Sequence, residues 1–275
     1  MAPVPAATLR RREPRSSRPS AGGSELARLY DLDLEEDPGD LDLYRALAAR
    51  VDGAVLELAV GTGRLAVPLA TEGATVVGVD HDPAMLARAR ARADRAGLPP
   101  DRLRLVEGDL RTADVPLAGT FRLGFIALNS LMLLGSRADQ AAAVRALADR
   151  LASGGLAVVD VWLPDADDLA RFDGRLVLEY VRTDADGRTV TKTAAARHDA
   201  ATATVELTVV YDEGRPGEAA VRWLRTDHLR LVSADELVSF AESAGLEVEV
   251  VAGGYDLEPL APGSDRAVLV ARRPA

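Results

Sequence analysis

Val55-Leu-Glu-Leu-Ala-Val-Gly-Thr-Gly-Arg64, followed by Val76-Val-Gly-Val-Asp80, decides the reading of this chain. The first segment has the pattern of a buried strand that runs into a glycine turn and then a helix. The second has the pattern of another buried strand, ending in an acid. An α/β sheet holds an adenosine cofactor in this way. Gly61 and Gly63 let backbone approach a ligand where a Cβ would clash. Asp80 lies 19 residues after Gly61, placed to accept hydrogen bonds from both hydroxyls of a ribose.

Outward from this pair the text alternates regularly. Strands are expected at 54–60, 74–79, 103–107, 121–128 and 155–161, with helices at 63–72, 83–96 and 137–152. The strands are continuous apolar runs, as a parallel sheet covered on both faces requires. Asp82-Pro83 opens the second of these helices with a cap and a first-turn proline, and Gly97 closes it. After Pro164 the pattern changes. Residues 175–183, 188–197, 202–211 and 219–231 alternate polar and apolar, which marks antiparallel strands with one wet face. Helical text returns at 233–243, with strands at 246–251 and 267–272. The expected organisation is a doubly wound, Rossmann-like α/β domain over 24–164 and 232–275. An antiparallel β insert, 165–231, covers the active site. Leu26 to Arg50 reads as helical with a Pro38-Gly39 break, and residues 1–23 read as a disordered leader.

Composition narrows the chemistry. The chain has 275 residues and no cysteine, which excludes thiol catalysis, disulfides and thiolate metal sites. His81, His198 and His228 are scattered without metal-ligand spacing, so no metal is expected. No apolar run approaches the roughly 20 residues of a membrane span, and no apolar segment follows the N-terminal arginines. A cytoplasmic protein with no membrane partner is expected. Net charge is −10. The first 23 residues carry five arginines and one glutamate, or +4, which leaves −14 on the remainder. An acidic body repels phosphate backbones, so nucleic acid is disfavoured as a partner. A single lysine, Lys192, stands against 32 arginines, a usage that fits a GC-rich bacterial genome.

Gly61-Thr-Gly-Arg-Leu-Ala66 also fits a dinucleotide pattern, which keeps NAD as a competitor. Three features favour S-adenosylmethionine. Glu57 is a carboxylate inside a buried strand, costly unless something cationic or hydrogen-bonding meets it; an ammonium group does, and a pyrophosphate does not. Asp109, in Leu105-Val-Glu-Gly-Asp-Leu110, is placed to accept from an adenine amino group while the Leu110 amide donates to the ring. Met85 puts a polarisable side chain one turn into a helix, where an adenine face can pack.

With these motifs the chain resembles the class I S-adenosylmethionine-dependent methyltransferases, in particular small bacterial ones acting on metabolites. The resemblance runs from about Tyr30 to Arg273. It rests on the glycine motif, Asp80, Val106-Glu-Gly-Asp109, Leu128-Asn-Ser-Leu131, Leu151-Ala-Ser-Gly-Gly155 and Arg230-Leu-Val-Ser-Ala-Asp-Glu-Leu237 in family order. The C-terminal text is similar to a group that includes amino-sugar N,N-dimethyltransferases. The resemblance implies a sheet of order 3-2-1-4-5-7-6 with the seventh strand antiparallel. It also implies that the N-terminal segment with Tyr30 and Tyr44 folds over the cofactor. One departure stands out: Ala59 replaces the first glycine of the usual motif, and a positive φ there would weaken binding.

The remaining candidates carry two readings each. Arg64 pairs with the cofactor carboxylate or caps a surface; His81 edges the adenine or sits in a solvated turn. Asn129 follows the fourth strand, either facing the ligand or forming a turn. Its Asn129-Ser-Leu-Met context argues against methylation of nucleic-acid bases. Thr226, His228 and Arg230 share one strand face. If that face looks into the cleft, His228 is the best general-base candidate; otherwise it belongs to a polar sheet face. The expected function is methyl transfer to a nitrogen or oxygen of a small-molecule acceptor, with a homodimer as the assembly to test. A binding or regulatory protein that keeps the cofactor without methylating, and an NAD-dependent oxidoreductase, are the alternatives.

Overall fold

The computed structural model describes residues 23–112, 120–184 and 186–275. The leader assigned to residues 1–23 lies outside them, apart from Gly23, which opens the first helix. In chain order the first half comprises α1 (Gly23–Asp33), α2 (Leu41–Arg50), β1 (Ala54–Leu58), α3 (Ala66–Thr71), β2 (Val76–Asp80), α4 (Pro83–Arg95), β3 (Leu103–Glu107) and β4 (Phe121–Ile126). The second half comprises α5 (Arg137–Arg150), β5 (Leu151–Trp162), α6 (Ala166–Arg171), β6 (Val177–Thr183), β7 (Thr189–Asp199), β8 (Thr204–Gly214), β9 (Val221–Arg230), α7 (Ala234–Ser243), β10 (Glu247–Ala252) and β11 (Arg266–Arg272).

Seven strands form one sheet in the order β10-β11-β5-β4-β1-β2-β3. Strands β1 to β5 pair in parallel and β11 runs antiparallel between β5 and β10. This is the doubly wound order expected from the sequence. The apolar runs explain it, because both faces are covered. Leu56, Leu58, Val77 and Val159 pack against Val144 and Leu147 of α5 and Leu237 and Phe240 of α7. Val55, Phe125, Val158 and Val268 pack on the other side against Tyr44, Leu47, Leu69 and Leu86.

One helix start beside the site differs from the sequence reading. The helix expected from residue 63 starts at Ala66, because Gly61 and Gly63 take positive φ of 55° and 75° and spend the intervening residues in a turn. The helical text of 26–50 divides into α1 and α2 across Gly39, whose φ is +90°.

Strands β6 to β9 form a separate four-stranded antiparallel sheet. Its alternation buries Val190, Val205, Val209 and Tyr211 on one face, and α1 packs there through Leu29. Among the described residues no helix is long and apolar enough to cross a membrane.

Candidate cofactor site

The site lies where the chain leaves the C-terminal ends of β1 to β4. Asp80 ends β2 and binds two loops together. Its Oδ2 accepts from the Gly61 amide at 2.8 Å and its Oδ1 from the Asp82 amide at 2.9 Å. Each oxygen keeps a lone pair for a ligand. Asp82 in turn caps α4 by accepting from Ala84 N at 2.8 Å, with Pro83 behind it. Gly78 lies beside Glu57 in the β1–β2 register, and a Cβ on it would meet Val60 Cγ2 at 2.6 Å. Only glycine lets the loop after β1 settle on β2 there.

A cavity of about 330 Å³ opens above these ends. Of the residues expected at a cofactor, Tyr30, Ala59, Gly61, Asp80, His81, Met85, Asp109 and Leu110 line it. Asp82, Arg111, Ser130, Leu133 and Leu134 complete the wall and were not expected there. Ser130 lies inside Leu128-Asn-Ser-Leu131, so the motif located this part of the wall and the choice of Asn129 missed it. Arg111 follows Asp109 by two positions and binds its carboxylate, an ion pair that holds the Asp109 carboxyl below the usual carboxylate range.

Five expected residues stand outside the cavity wall. Tyr44 is fully buried and donates to Asp160 Oδ1 at 2.7 Å. Asn129 accepts from the Trp162 amide at 2.5 Å through Oδ1. Arg64 is held by both oxygens of buried Asp40, at 2.6 and 2.5 Å. Gly63 is buried against Val67 and Ala89. Glu57 is buried near the end of β1, and burial pushes its carboxyl well above the usual range.

His228 is placed on the outer face of the antiparallel sheet. Its side chain is 70% exposed and stands 3.8 Å from Glu206. The strand register gives the reason. Trp223, Arg225, Asp227 and Leu229 pair with Tyr211, Val209, Leu207 and Val205, the side that packs on α1. Thr226 and His228 therefore point away from it. The inward-facing pair on β9 is Arg225 and Asp227, joined at 2.8 Å. Strand alternation alone does not tell which face turns inward; of the two readings left open for His228, the register gives the polar sheet face. Trp162, read as a pocket or packing residue, lies 5.8 Å from the Phe172 ring.

Residues 55–155 match the family described as a methyltransferase domain. Those residues carry a methyltransferase domain, and the motifs and sheet order around them support the class I S-adenosylmethionine-dependent type. The chain is similar over 92% of its length to the CcbJ methyltransferase from Streptomyces caelestis, with 28% identity, 98% of that chain covered and a TM-score of 0.74. It is also similar to CalS10 from Micromonospora echinaspora, an amino pentose methyltransferase solved with S-adenosylmethionine bound. There the identity is 26%, the coverage 89% and 96%, and the TM-score 0.68. DesVI from Streptomyces venezuelae matches at 25% identity over 91% of this chain and 98% of its own, with a TM-score of 0.70. No curated protein matches the chain.

The residues of the methyltransferase site fit that cofactor. Glu57 Oε2 and Thr62 Oγ1 are buried without a hydrogen-bond partner among the described residues. An unpaired carboxylate oxygen under the glycine loop suits a ligand that brings an ammonium group and opposes one that brings a pyrophosphate. Asp80 and Asp109 line the cavity and would supply acceptors for ribose hydroxyls and an adenine amine, with Met85 and Leu134 as apolar wall. The bound cofactor would supply a methyl group on a sulfonium, already activated as an electrophile. The chain's residues then have to bind it, orient it and exclude water. Tyr30 of α1 closes the site. Its ring lies 3.9 Å from where a Cβ on Gly61 would stand, and burial pushes its phenol up to about 12.

Proposed function

We propose that the enzyme transfers the methyl group to a nitrogen of a small molecule, an amine such as an amino sugar, rather than to a hydroxyl. The observation that carries this reading is the character of the cavity wall. Among the described residues lining it, the one imidazole is His81, which stands beside Asp80 at 3.6 Å on the ribose side. Tyr30, with its raised phenol, is protonated at neutral pH and accepts no proton from a substrate. A hydroxyl acceptor needs a base; an amine needs only to arrive unprotonated. The similarity to an amino pentose methyltransferase supports the same choice. Acceptor selection we assign to α1, which brings Tyr30 to the cavity, and to the insert 165–231, which packs on α1 and contributes no residue to the cavity wall among the described residues.

A homodimer through the outer face of the antiparallel sheet accompanies this proposal. Leu178 and Val181 of β6 and Leu224 of β9 are each 58–60% exposed there, large apolar side chains on the open face at its two edge strands, and such exposed apolar surface marks interfaces.

The test is incubation with methyl-labelled S-adenosylmethionine and a panel of amino sugars, amino acids and phenols. Label should enter an amine, with a rate that rises with pH until the amine is deprotonated. Label entering phenols or sugar hydroxyls instead would overturn the nitrogen assignment.

A further inference from the structure

Asp160 is the most heavily bonded carboxylate of the methyltransferase body, and it does not line the cavity. It lies near the end of β5, opposite Val268 of β11, and is fully buried. Tyr44 OH donates to its Oδ1 at 2.7 Å; Tyr255 OH and Arg266 Nη1 each donate to its Oδ2 at 3.0 Å. The Leu128 amide donates to both oxygens, at 3.0 and 3.1 Å. The backbone carbonyl of Asp160 also accepts from the Asn129 amide at 3.3 Å.

Leu128 and Asn129 are consecutive non-glycine residues in the left-handed region, with φ of 50° and 65°. A side-chain-bearing residue seldom adopts that backbone, and a leucine much less readily than an asparagine. Such strain persists where the surroundings over-determine it, and it concentrates at functional sites. Here the anchors are visible. Asp160 holds both amides of the pair, and Asn129 Oδ1 is fixed by the Trp162 amide. Asn129 then caps the short 3₁₀ turn Ser130–Leu133, its carbonyl accepting from Met132 N at 2.8 Å. That turn and the residue after it bring Ser130, Leu133 and Leu134 to the cavity.

We infer that Asp160 is a positioning residue: it holds the Leu128-Asn129 backbone in its strained left-handed form, and so aims the Ser130–Leu134 wall at the cofactor. Tyr44, Tyr255 and Arg266 donate to the carboxyl and hold it in place, against the burial that pushes it above the usual carboxylate range. This gives Tyr44 a part in the site without contact to the ligand. The inference rests on the cavity being the cofactor's.

A double-mutant cycle tests it, with calorimetric affinity for S-adenosylhomocysteine and thermal midpoint as the two readouts. Asp160→Asn puts an amide NH2 among donors, so the turn loses its anchor; affinity should fall about tenfold, the worth of one charge-assisted hydrogen bond. Glycine takes a positive φ without strain. Leu128→Gly should therefore cost midpoint in the wild-type background through lost packing, yet restore most of the affinity in the Asp160→Asn background. A purely structural role for Asp160 predicts no such rescue, since a second loss of packing would only add to the first. If Asp160→Asn does not fold, Asn129→Ala carries the test: it cuts the same turn from Trp162 and should show the same selective loss of affinity. Unchanged affinity in Asp160→Asn, or a loss that Leu128→Gly leaves undiminished, overturns the inference. Wild-type affinity for the nucleoside measures the cofactor assignment by itself; the coupling between residues 128 and 160, visible also in the midpoint without any nucleoside, measures this one.

Discussion

The two sheets of this protein bury their residues in different ways, and the difference divides its chemistry. In the seven-stranded sheet, β1 and β2 are covered on both faces, with only Ala54 of their ten residues less than fully buried. The carboxylates Glu57, Asp80 and Asp160 sit near the C-terminal ends, where Asp80 and Asp160 hold the loops that follow. In the four-stranded sheet one face is open, and the other is fastened to α1 by an apolar cluster around Leu29, Val190 and Val209 with polar contacts beside it. Tyr180 and Tyr211 donate to Asp33 at 2.7 and 2.6 Å, and Lys192 stands 3.1 Å from it. Arg28 binds Asp184 at 3.0 Å and also Glu213. Hydrophobic burial thus fixes the half that holds the generic cofactor. A polar network is added to the apolar contacts that fix the half to which we assign acceptor selection.

The largest expected effect breaks this contrast at the network. Asp33→Ala leaves the buried Tyr211 phenol, the half-buried Tyr180 phenol and an ammonium without their acceptor. Detachment of α1 and the small sheet should cost about 3–5 kcal/mol, the scale of breaking a buried pair, read by urea unfolding as an early transition that precedes the body. One unshifted transition would show that apolar contacts such as Leu29 suffice.

Within the body, Asp80→Ala should weaken S-adenosylhomocysteine binding by about 1–3 kcal/mol while the fold persists. A folded variant with wild-type affinity would remove Asp80 from the site. Glu57→Gln should act in opposite directions on stability and binding. Burial raises the Glu57 carboxyl in the folded chain. The stability tied to this group is therefore complete below the unfolded pKa of about 4.3 and is lost as pH rises through the folded value. At neutral pH the ligand-free glutamine variant should melt later, by about 1 kcal/mol, yet bind the cofactor more weakly. Equal pH–stability slopes in the two proteins would contradict the buried, unpaired carboxylate.

Ala59 has φ of 61°, the strained case that its replacement of the family glycine raised. Ala59→Gly should add about 0.5–1 kcal/mol, strain relief exceeding the extra chain entropy of glycine. The smallest effect belongs to the small sheet's outer face. His228→Ala should change stability by less than about 0.5 kcal/mol and leave methyl transfer intact at every pH. A loss of turnover would return His228 to the catalytic role first considered for it.

The cofactor half was legible because its signals are local: Asp80 ends β2, Gly61 and Asp109 follow the ends of β1 and β3 within three residues, and topology puts such ends together. Tyr44 and Asn129 were assigned to the ligand because their partner, Asp160, lies 116 and 31 residues away and has no motif of its own. The inward pair Arg225–Asp227 was passed over for His228 because alternation gives two faces and no label. That label comes from α1, through contacts spanning most of the chain.

Calorimetric titration of the full chain with S-adenosylhomocysteine, repeated with NAD, tests the central claim most directly. That claim is that the loops after β1, β2 and β3 form a site for a sulfur nucleoside. One site per chain should appear, in the micromolar range or tighter for the nucleoside, weakened in Asp80→Ala and not displaced by NAD. Tighter binding of NAD than of S-adenosylhomocysteine or S-adenosylmethionine would contradict the account.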